Sequence, residues 1–273
     1  MPIEERPDGP GISPAATLTY GTDSPNQVAD LYTPAGSGPW PLVVASHGGA
    51  FMRGDRSREL PHLPALLGQG YAVASVEYRL SGEALFPAAV QDVKQATAYL
   101  RAGAAELSLD PSFFAAWGRS AGGHLAAMLG VTSGQATEFD GDGPGGGSSV
   151  QAVVDWYGPS DFLRMDAQFI ARPPDGDVPP VQNHDEPGSP ESRWIGGPIQ
   201  ELPEVTARAN PITYIAQAGT PTRRSSSPRA RAITWCPASR PPSSPTHFAP
   251  TERRSCSTSS TARGTPTSAS SPS

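Results

Sequence analysis

The stretch WGRSAGGHLAAML, Trp117 to Leu129, decides how this chain is read. It continues the apolar run FFAAWG, passes through Gly118-Arg119-Ser120-Ala121-Gly122 and enters a helical pattern. A strand that turns sharply into a helix at such a sequence lifts its serine to the top of a sheet. The residues two positions either side must be small, because the turn presses them against neighbouring backbone. The helix beginning at Ala121 also points its positive end at the same spot, which favours developing negative charge. Ser120 is therefore the candidate nucleophile, and Gly118 and Gly122 are the elbow glycines.

A second motif lies upstream. The apolar run WPLVVAS is followed by HGGAF, His47 to Phe51. Adjacent glycines leave backbone N–H groups free to face a carbonyl oxygen. Gly48 and Gly49, together with the Ala121 N–H, make a candidate oxyanion hole, a device that lowers a barrier by a few kcal/mol. His47 is read as bracing this loop rather than as a base.

The flanking pattern gives the fold class. ATLTYG and QVADLYTP alternate apolar and polar residues around the turn cluster TDSPN, as an antiparallel hairpin at a sheet edge does. WPLVVASHGG, YAVASVEYRL and VQAVVDWYG are short apolar runs, the pattern of strands buried on both faces. RELPHLPALLGQG has helical spacing and ends at Gly70, and FPAAVQDVKQATAYLRAGAAEL reads as a long amphipathic helix opening at Pro87. Strands alternating with helices predict an α/β fold around a mostly parallel sheet with right-handed crossovers. The Pro-rich segment 161–210 reads as a cap-like excursion between core elements.

Together HGGAF, VEYRL, FPAAVQD, LDPSFFAAWGRSAGGHLAAML, WYGPSDF and WIGGPIQELPEVTARANPITYI resemble the bacterial hormone-sensitive-lipase-like carboxylesterases and the related feruloyl- and acetyl-esterase (BD-FAE-type) families. The resemblance covers Leu42 to about Tyr214. It implies the α/β-hydrolase fold, with helices on both faces of the sheet. It also implies hydrolysis of small carboxylic esters through an acyl-enzyme on Ser120, without a cofactor. The triad acid is then expected after the next strand, in a D-x-x-V-P segment, and the base after the last, in a G-x-x-H segment.

Neither segment is present. Beyond Pro221 the chain is Ser, Thr, Pro, Arg and Ala, with Ile233 its only Val, Ile, Leu or Met residue. This tail, 222–273, holds eight Arg and one acid, Glu252; a net charge of -6 for the chain then leaves -13 for residues 1–221. His247 and Asp161 are the weak in-frame candidates for base and acid. His247 follows no apolar strand, and Asp161, in GPSDF, is read as capping a short helix.

Arg outnumbers Lys nineteen to one, which points to a GC-rich gene. In GC-rich codons AITWCP, residues 232–237, becomes GCG-ATC-ACC-TGG-TGC-CCG; read from the last base of each codon it gives Asp-His-Leu-Val-Pro. STSSTARGTPT, residues 257–267, gives His-Leu-Val-Asp-Gly-Ala-Gly-His-Ala-Asp by the same shift, and RRSSS, residues 223–227, can give Val-Leu-Leu where a strand is due. The expectation is a frameshift near 219–223, so that residues 1–221 form an incomplete hydrolase domain and 222–273 a disordered tail. Weak activity and an uncovered apolar sheet surface follow from that expectation.

Other functions find little support. An acidic body argues against nucleic acid as a partner. The only cysteines, Cys236 and Cys256, lie in the tail, so no disulfide framework supports the core. MPIEERPDGPGIS has no leader pattern and no apolar run spans a membrane, so a cytoplasmic protein is expected. No zinc, P-loop or dinucleotide motif occurs, and no metal is expected. His62 and His184 are read as loop residues, His124 as packed beneath the elbow, and Asp92 as a helix-surface or loop-bracing acid. Trp156, Tyr157 and Trp194 are read either as pocket lining or as core. The oligomeric state is not legible.

Overall fold

The computed structural model describes residues 12–134, 137–140, 147–171 and 183–217. The chain divides into two units, Met1–Ala238 and Ser239–Ser273, and every described residue belongs to the first. The tail, His247 and both cysteines lie outside the described residues.

Among the described residues six strands form one sheet in the order β1-β2-β4-β3-β5-β6. β1 (Ala16–Thr19) and β2 (Val28–Tyr32) pair antiparallel at one edge, as the alternating pattern predicts, and β2 pairs antiparallel with β4 (Ala72–Val76). β3 (Trp40–Ser46), β5 (Leu109–Arg119) and β6 (Ala152–Trp156) continue the sheet in parallel with β4. The result is the α/β-hydrolase fold.

Side chains alternate across this sheet because the pleat has period two. Leu42, Val44, Ala72, Ala74 and Phe114 face α2 (Ala88–Ala102), which buries Ala96 and Leu100 against them. Val43, Ala45, Val73, Ala115 and Trp117 face the other way, toward a 3-10 turn (Arg56–His62) and α1 (Leu63–Gly68). Both faces of β3 and β4 are covered, which is why these strands read as unbroken apolar runs. α3 (Ala121–Val131) continues the first face beside β5.

Polar anchors tie the layers together. Asp92 sits buried on α2, where it accepts from the Arg79 guanidinium at 2.7 Å, from the Arg79 N–H at 2.9 Å and from Gln27 Nε2 at 2.8 Å. It braces the loop after β4; the helix-surface alternative is wrong, since the side chain is fully buried. Lys94, two residues on, is buried too. Its ammonium lies 3.0 Å from Asp140 and donates to Thr132 and Thr137, joining α2 to the end of α3 and the loop beyond.

Three expectations need correction. β6 is not buried on both faces: its residues alternate between half-buried and exposed, because β5 is its only partner among the described residues. The described parts of the excursion, residues 161–171 and 183–210, are more regular than their prolines imply. They hold a 3-10 turn (Phe162–Arg164) and the short helices α4 (Met165–Ala171), α5 (Pro190–Ile195) and α6 (Pro203–Ala209), followed by α7 (Pro211–Gln217). Three of these helices carry proline at their first positions, where its missing N–H leaves no bond unmade. The amphipathic pattern of α2 also overruns its helix, which stops at Ala102 before Gly103.

Candidate active site

β5 ends at Arg119, and the chain reverses through Ser120 at φ 53° and ψ -124° before α3 begins at Ala121. A serine rarely adopts this conformation, and it persists only where the surroundings enforce it. Here the Ser120 N–H donates to the Trp156 carbonyl at 2.9 Å, and the Ser120 carbonyl accepts from the His124 N–H at 2.9 Å. Space is equally constraining. A methyl group on Gly122 would overlap the Ser46 carbonyl, and one on Gly118 would overlap the Gly122 carbonyl. The elbow therefore requires glycine at both positions, as its sequence predicts.

The loop after β3 comes to the same place. A methyl on Gly48 would lie 2.8 Å from the Arg119 carbonyl and 3.5 Å from the Ser120 Cβ, so this loop rests directly on the elbow. Gly49 has φ 145°, and its carbonyl accepts from the N–H groups of Met52 and Arg53, both at 3.1 Å, closing a tight turn. Among the described residues nothing accepts a hydrogen bond from the N–H groups of Gly48, Gly49 or Ala121. Unpaired N–H groups beside the positive end of a helix form a ready anion site.

His47 is fully buried beneath this loop. Its ring stacks on Tyr78 with centroids 4.4 Å apart, and its Nδ1 meets the Gly48 carbonyl at 3.1 Å. Its Nε2 lies 3.3 Å from Glu77 Oε1, within ion-pair range but poorly aligned for a hydrogen bond. The Tyr78 hydroxyl donates to the His47 carbonyl at 2.8 Å, and burial holds that phenol well above its ordinary pKa. Arg56 continues the chain of contacts: its N–H donates to Glu77 at 2.9 Å, and its guanidinium bonds Asp30 at 2.6 Å.

His124 stands one turn into α3. Its Nδ1 lies 2.7 Å from the Pro159 carbonyl, and its ring stacks on Phe162 at 4.9 Å. Burial pushes its pKa down to about 4, so it is neutral near pH 7. Trp194 is core, with its ring lying flat on Phe51 at 4.1 Å. Trp156 and Tyr157 are exposed at the end of β6. His62 is not a loop residue: it ends the 3-10 turn and meets Trp117 and Trp156 edge-on. His184 pairs with Asp166 at 2.6 Å in the excursion.

Asp161 precedes the 3-10 turn at Phe162, but its side chain makes no capping bond. It accepts instead from Asn210 Nδ2 at 3.0 Å, while Asn210 Oδ1, just past α6, accepts from the Phe162 N–H at 3.0 Å. Among the described residues no histidine or carboxylate is hydrogen-bonded to the Ser120 hydroxyl. One neighbour escaped the sequence reading. Arg119 turns toward Glu59, a fully buried carboxylate in the 3-10 turn 60 residues earlier, and neither residue carries a local signal of that pairing. No cluster of three or more His, Cys, Asp or Glu side chains among the described residues could hold a metal. No helix among them is long and apolar enough to cross a membrane.

Residues 29–223 match the BD-FAE family model. The chain belongs to the BD-FAE family. Esterase LipC of Mycobacterium tuberculosis is 35% identical over 149 residues, covering 53% of this chain and 36% of its own. Probable carboxylic ester hydrolase LipM of the same organism is 33% identical over 130 residues, 47% of this chain and 30% of its own. This BD-FAE chain thus spans about a third of the length of those relatives. Among solved structures, a truncated form of a carbohydrate esterase from gut microbiota superposes with a TM-score of 0.62 and 31% identity, covering 75% of this chain and 74% of that one.

Proposed function

We propose that this BD-FAE chain is built for hydrolysis of small carboxylic esters at Ser120. The observation that carries the reading is the meeting of two loops. The strained serine at the head of α3 lies against Gly48, and among the described residues the N–H groups of Gly48, Gly49 and Ala121 have no acceptor. Ser120 Oγ attacks the ester carbonyl carbon, the oxyanion takes the three N–H bonds, and the alcohol departs as the acyl-enzyme forms. Water then attacks the acyl carbon and releases the acid and Ser120. A cavity of about 520 Å³ beside the Gly49 turn, lined by Met52, Ser81, Leu85, Ser192 and Arg193, has room for part of such a substrate. The esterase names of the relatives support this substrate class.

The chemistry also needs a base, and the lack of a histidine or carboxylate on the Ser120 hydroxyl among the described residues supports a second statement. The acid and base belong to another reading frame entered near residues 219–223, and the chain as written turns over weakly. Removing a triad base leaves on the order of 10³–10⁴-fold catalysis over water, from the oxyanion hole and binding.

Hydrolysis of p-nitrophenyl acetate separates these statements. The frame-restored protein is expected to exceed its Ser120→Ala variant by orders of magnitude, and the chain as written to lie near that variant. Equal rates for the restored protein and Ser120→Ala would remove the esterase reading. Full, Ser120-dependent turnover by the chain as written would remove the frameshift reading, as would coding DNA with no Asp and Gly-Xaa-Gly-His segments in any frame beyond codon 221.

A further inference from the structure

The oxyanion loop is strained beyond its glycines. Ala50 and Phe51 follow Gly49 at φ 57° and 59°, values that side chains rarely accept, and Ser120 on the elbow sits at 53°. Strain on both sides of a site persists only where the surroundings over-determine it. The entry to the loop is fixed at His47, whose carbonyl accepts from the Tyr78 hydroxyl. The exit runs into the 3-10 turn, where the Asp55 carboxylate caps the Ser57 N–H at 2.7 Å. Glu59 is the buried residue of that turn, while Leu60 beside it stays part-exposed. A turn that buries its carboxylate in preference to its leucine inverts the ordinary order of burial.

The pairing with Arg119 is loose for so buried a charge. Arg119 Nε lies 3.4 Å and Nη2 3.5 Å from Glu59 Oε1, and Oε2 has no hydrogen-bond partner among the described residues. Contacts this long offset little of the cost of burying a carboxylate, so stability is a poor account of the pair. Position is a better one. The Arg119 carbonyl is the surface on which Gly48 rests, a methyl there lying 2.8 Å away, and the next residue is Ser120. Arg119 therefore supports the oxyanion loop with its backbone, leads directly into the serine, and grips the exit of the loop with its side chain. Holding that guanidinium at residue 59 fixes how the Gly48 and Gly49 N–H groups stand against that of Ala121, and all three must converge on one oxygen. Glu59 acts on the loop's entry as well. After burial and Glu77, its charge helps to hold the Tyr78 phenol above its ordinary pKa, which keeps Tyr78 the donor to His47.

We infer that Glu59 is a positioning residue for the reaction at Ser120: through Arg119 it sets the spacing between the oxyanion loop and the elbow. The inference rests on the esterase reading of Ser120, and Glu59 acts without touching substrate.

Amide exchange tests the geometry in the chain as written. Glu59→Gln should speed exchange of the Ser120 N–H, held by the Trp156 carbonyl, by roughly tenfold through easier local opening. A pair that served stability alone would speed only the amides of β3 and β4, which wait for global unfolding. Kinetics test the consequence in the frame-restored protein. Glu59→Gln and Arg119→Met should each lower kcat on p-nitrophenyl acetate by roughly tenfold to a hundredfold, the scale of a small misplacement, with KM changed by less than about threefold. Arg119→Lys, similar to Met in length but charged, should recover most of that loss. Glu59→Gln keeps the size of the side chain, so it decides the matter even if Arg119→Met folds poorly. Unchanged Ser120 exchange, a kcat indifferent to Glu59→Gln, or equal turnover with Lys and Met at residue 119 overturns the inference while the esterase reading stands. A restored parent no faster than its Ser120→Ala variant removes the esterase reading, and this inference with it.

Discussion

Arg119 Nε lies 3.4 Å from Oε1 of Glu59, a carboxylate with no exposure to solvent. The two residues have unequal freedom. Arg119 is part-exposed and can turn to water if Glu59 is lost, whereas Glu59 has nowhere to go if Arg119 is lost. Arg119→Met should therefore destabilise by about 3–5 kcal/mol, the penalty of a stranded buried charge, and Glu59→Gln by only about 1–2 kcal/mol. Urea midpoints of the two variants give the order. If Glu59→Gln is the more damaging, the carboxylate does more than neutralise its partner.

Glycine substitutions should split sharply by position. Gly122→Ala meets the Ser46 and His47 carbonyls, both backbone and unable to yield, so loss of about 3 kcal/mol or more is expected, or failure to fold. Gly68→Ala, at the end of α1 with nothing within 4 Å, should gain about 0.5–1 kcal/mol from the restricted unfolded chain. Thermal midpoints of the pair would expose a mistaken elbow if both behaved alike.

Acid should weaken the fold through His124. Its folded-state pKa, about 4, lies below the ordinary 6.5 because burial disfavours the charged ring. The unfolded chain thus binds the proton more tightly, and stability falls as pH drops from 6.5 toward 4. The full loss approaches about 3 kcal/mol, at 1.36 kcal/mol per pKa unit. His124→Gln should flatten the stability profile in that window alone. An unchanged slope would assign the acid sensitivity to other groups.

Lys94 is the chain's only lysine, and it is almost wholly buried against Asp140 and Thr132. Burial also lowers its pKa, despite the opposing pull of Asp140. Amine-reactive reagents should therefore modify the native protein at its terminus and reach Lys94 only through global opening. Mass spectrometry of briefly labelled protein checks this, and rapid native labelling at Lys94 would mean that α2 and α3 separate easily.

The sequence carried the sheet centre and the elbow well, for a physical reason. β3 and β4 are sandwiched, so nearly every position is apolar, and the glycines at 48, 118 and 122 answer to backbone only a few ångströms away. β6 was harder, because an apolar strand looks the same whether or not a neighbour exists to cover it. Pairs distant along the chain left no local trace either. Nothing near Glu59 foretells Arg119, and nothing in GPSDF foretells that Asn210 would engage Asp161. Asp92 lay between: its bracing role was legible, its complete burial was not.

The Ser120 N–H reaches across to the Trp156 carbonyl, the last residue of β6. The strand with one neighbour among the described residues thus holds the backbone of the strained elbow serine. Fraying of that strand and release of the elbow become one event, and the Ser120 amide proton is its clock. Its exchange with solvent deuterium should keep pace with the opening of β6, while amides of β3 and β4 wait for the whole domain to unfold.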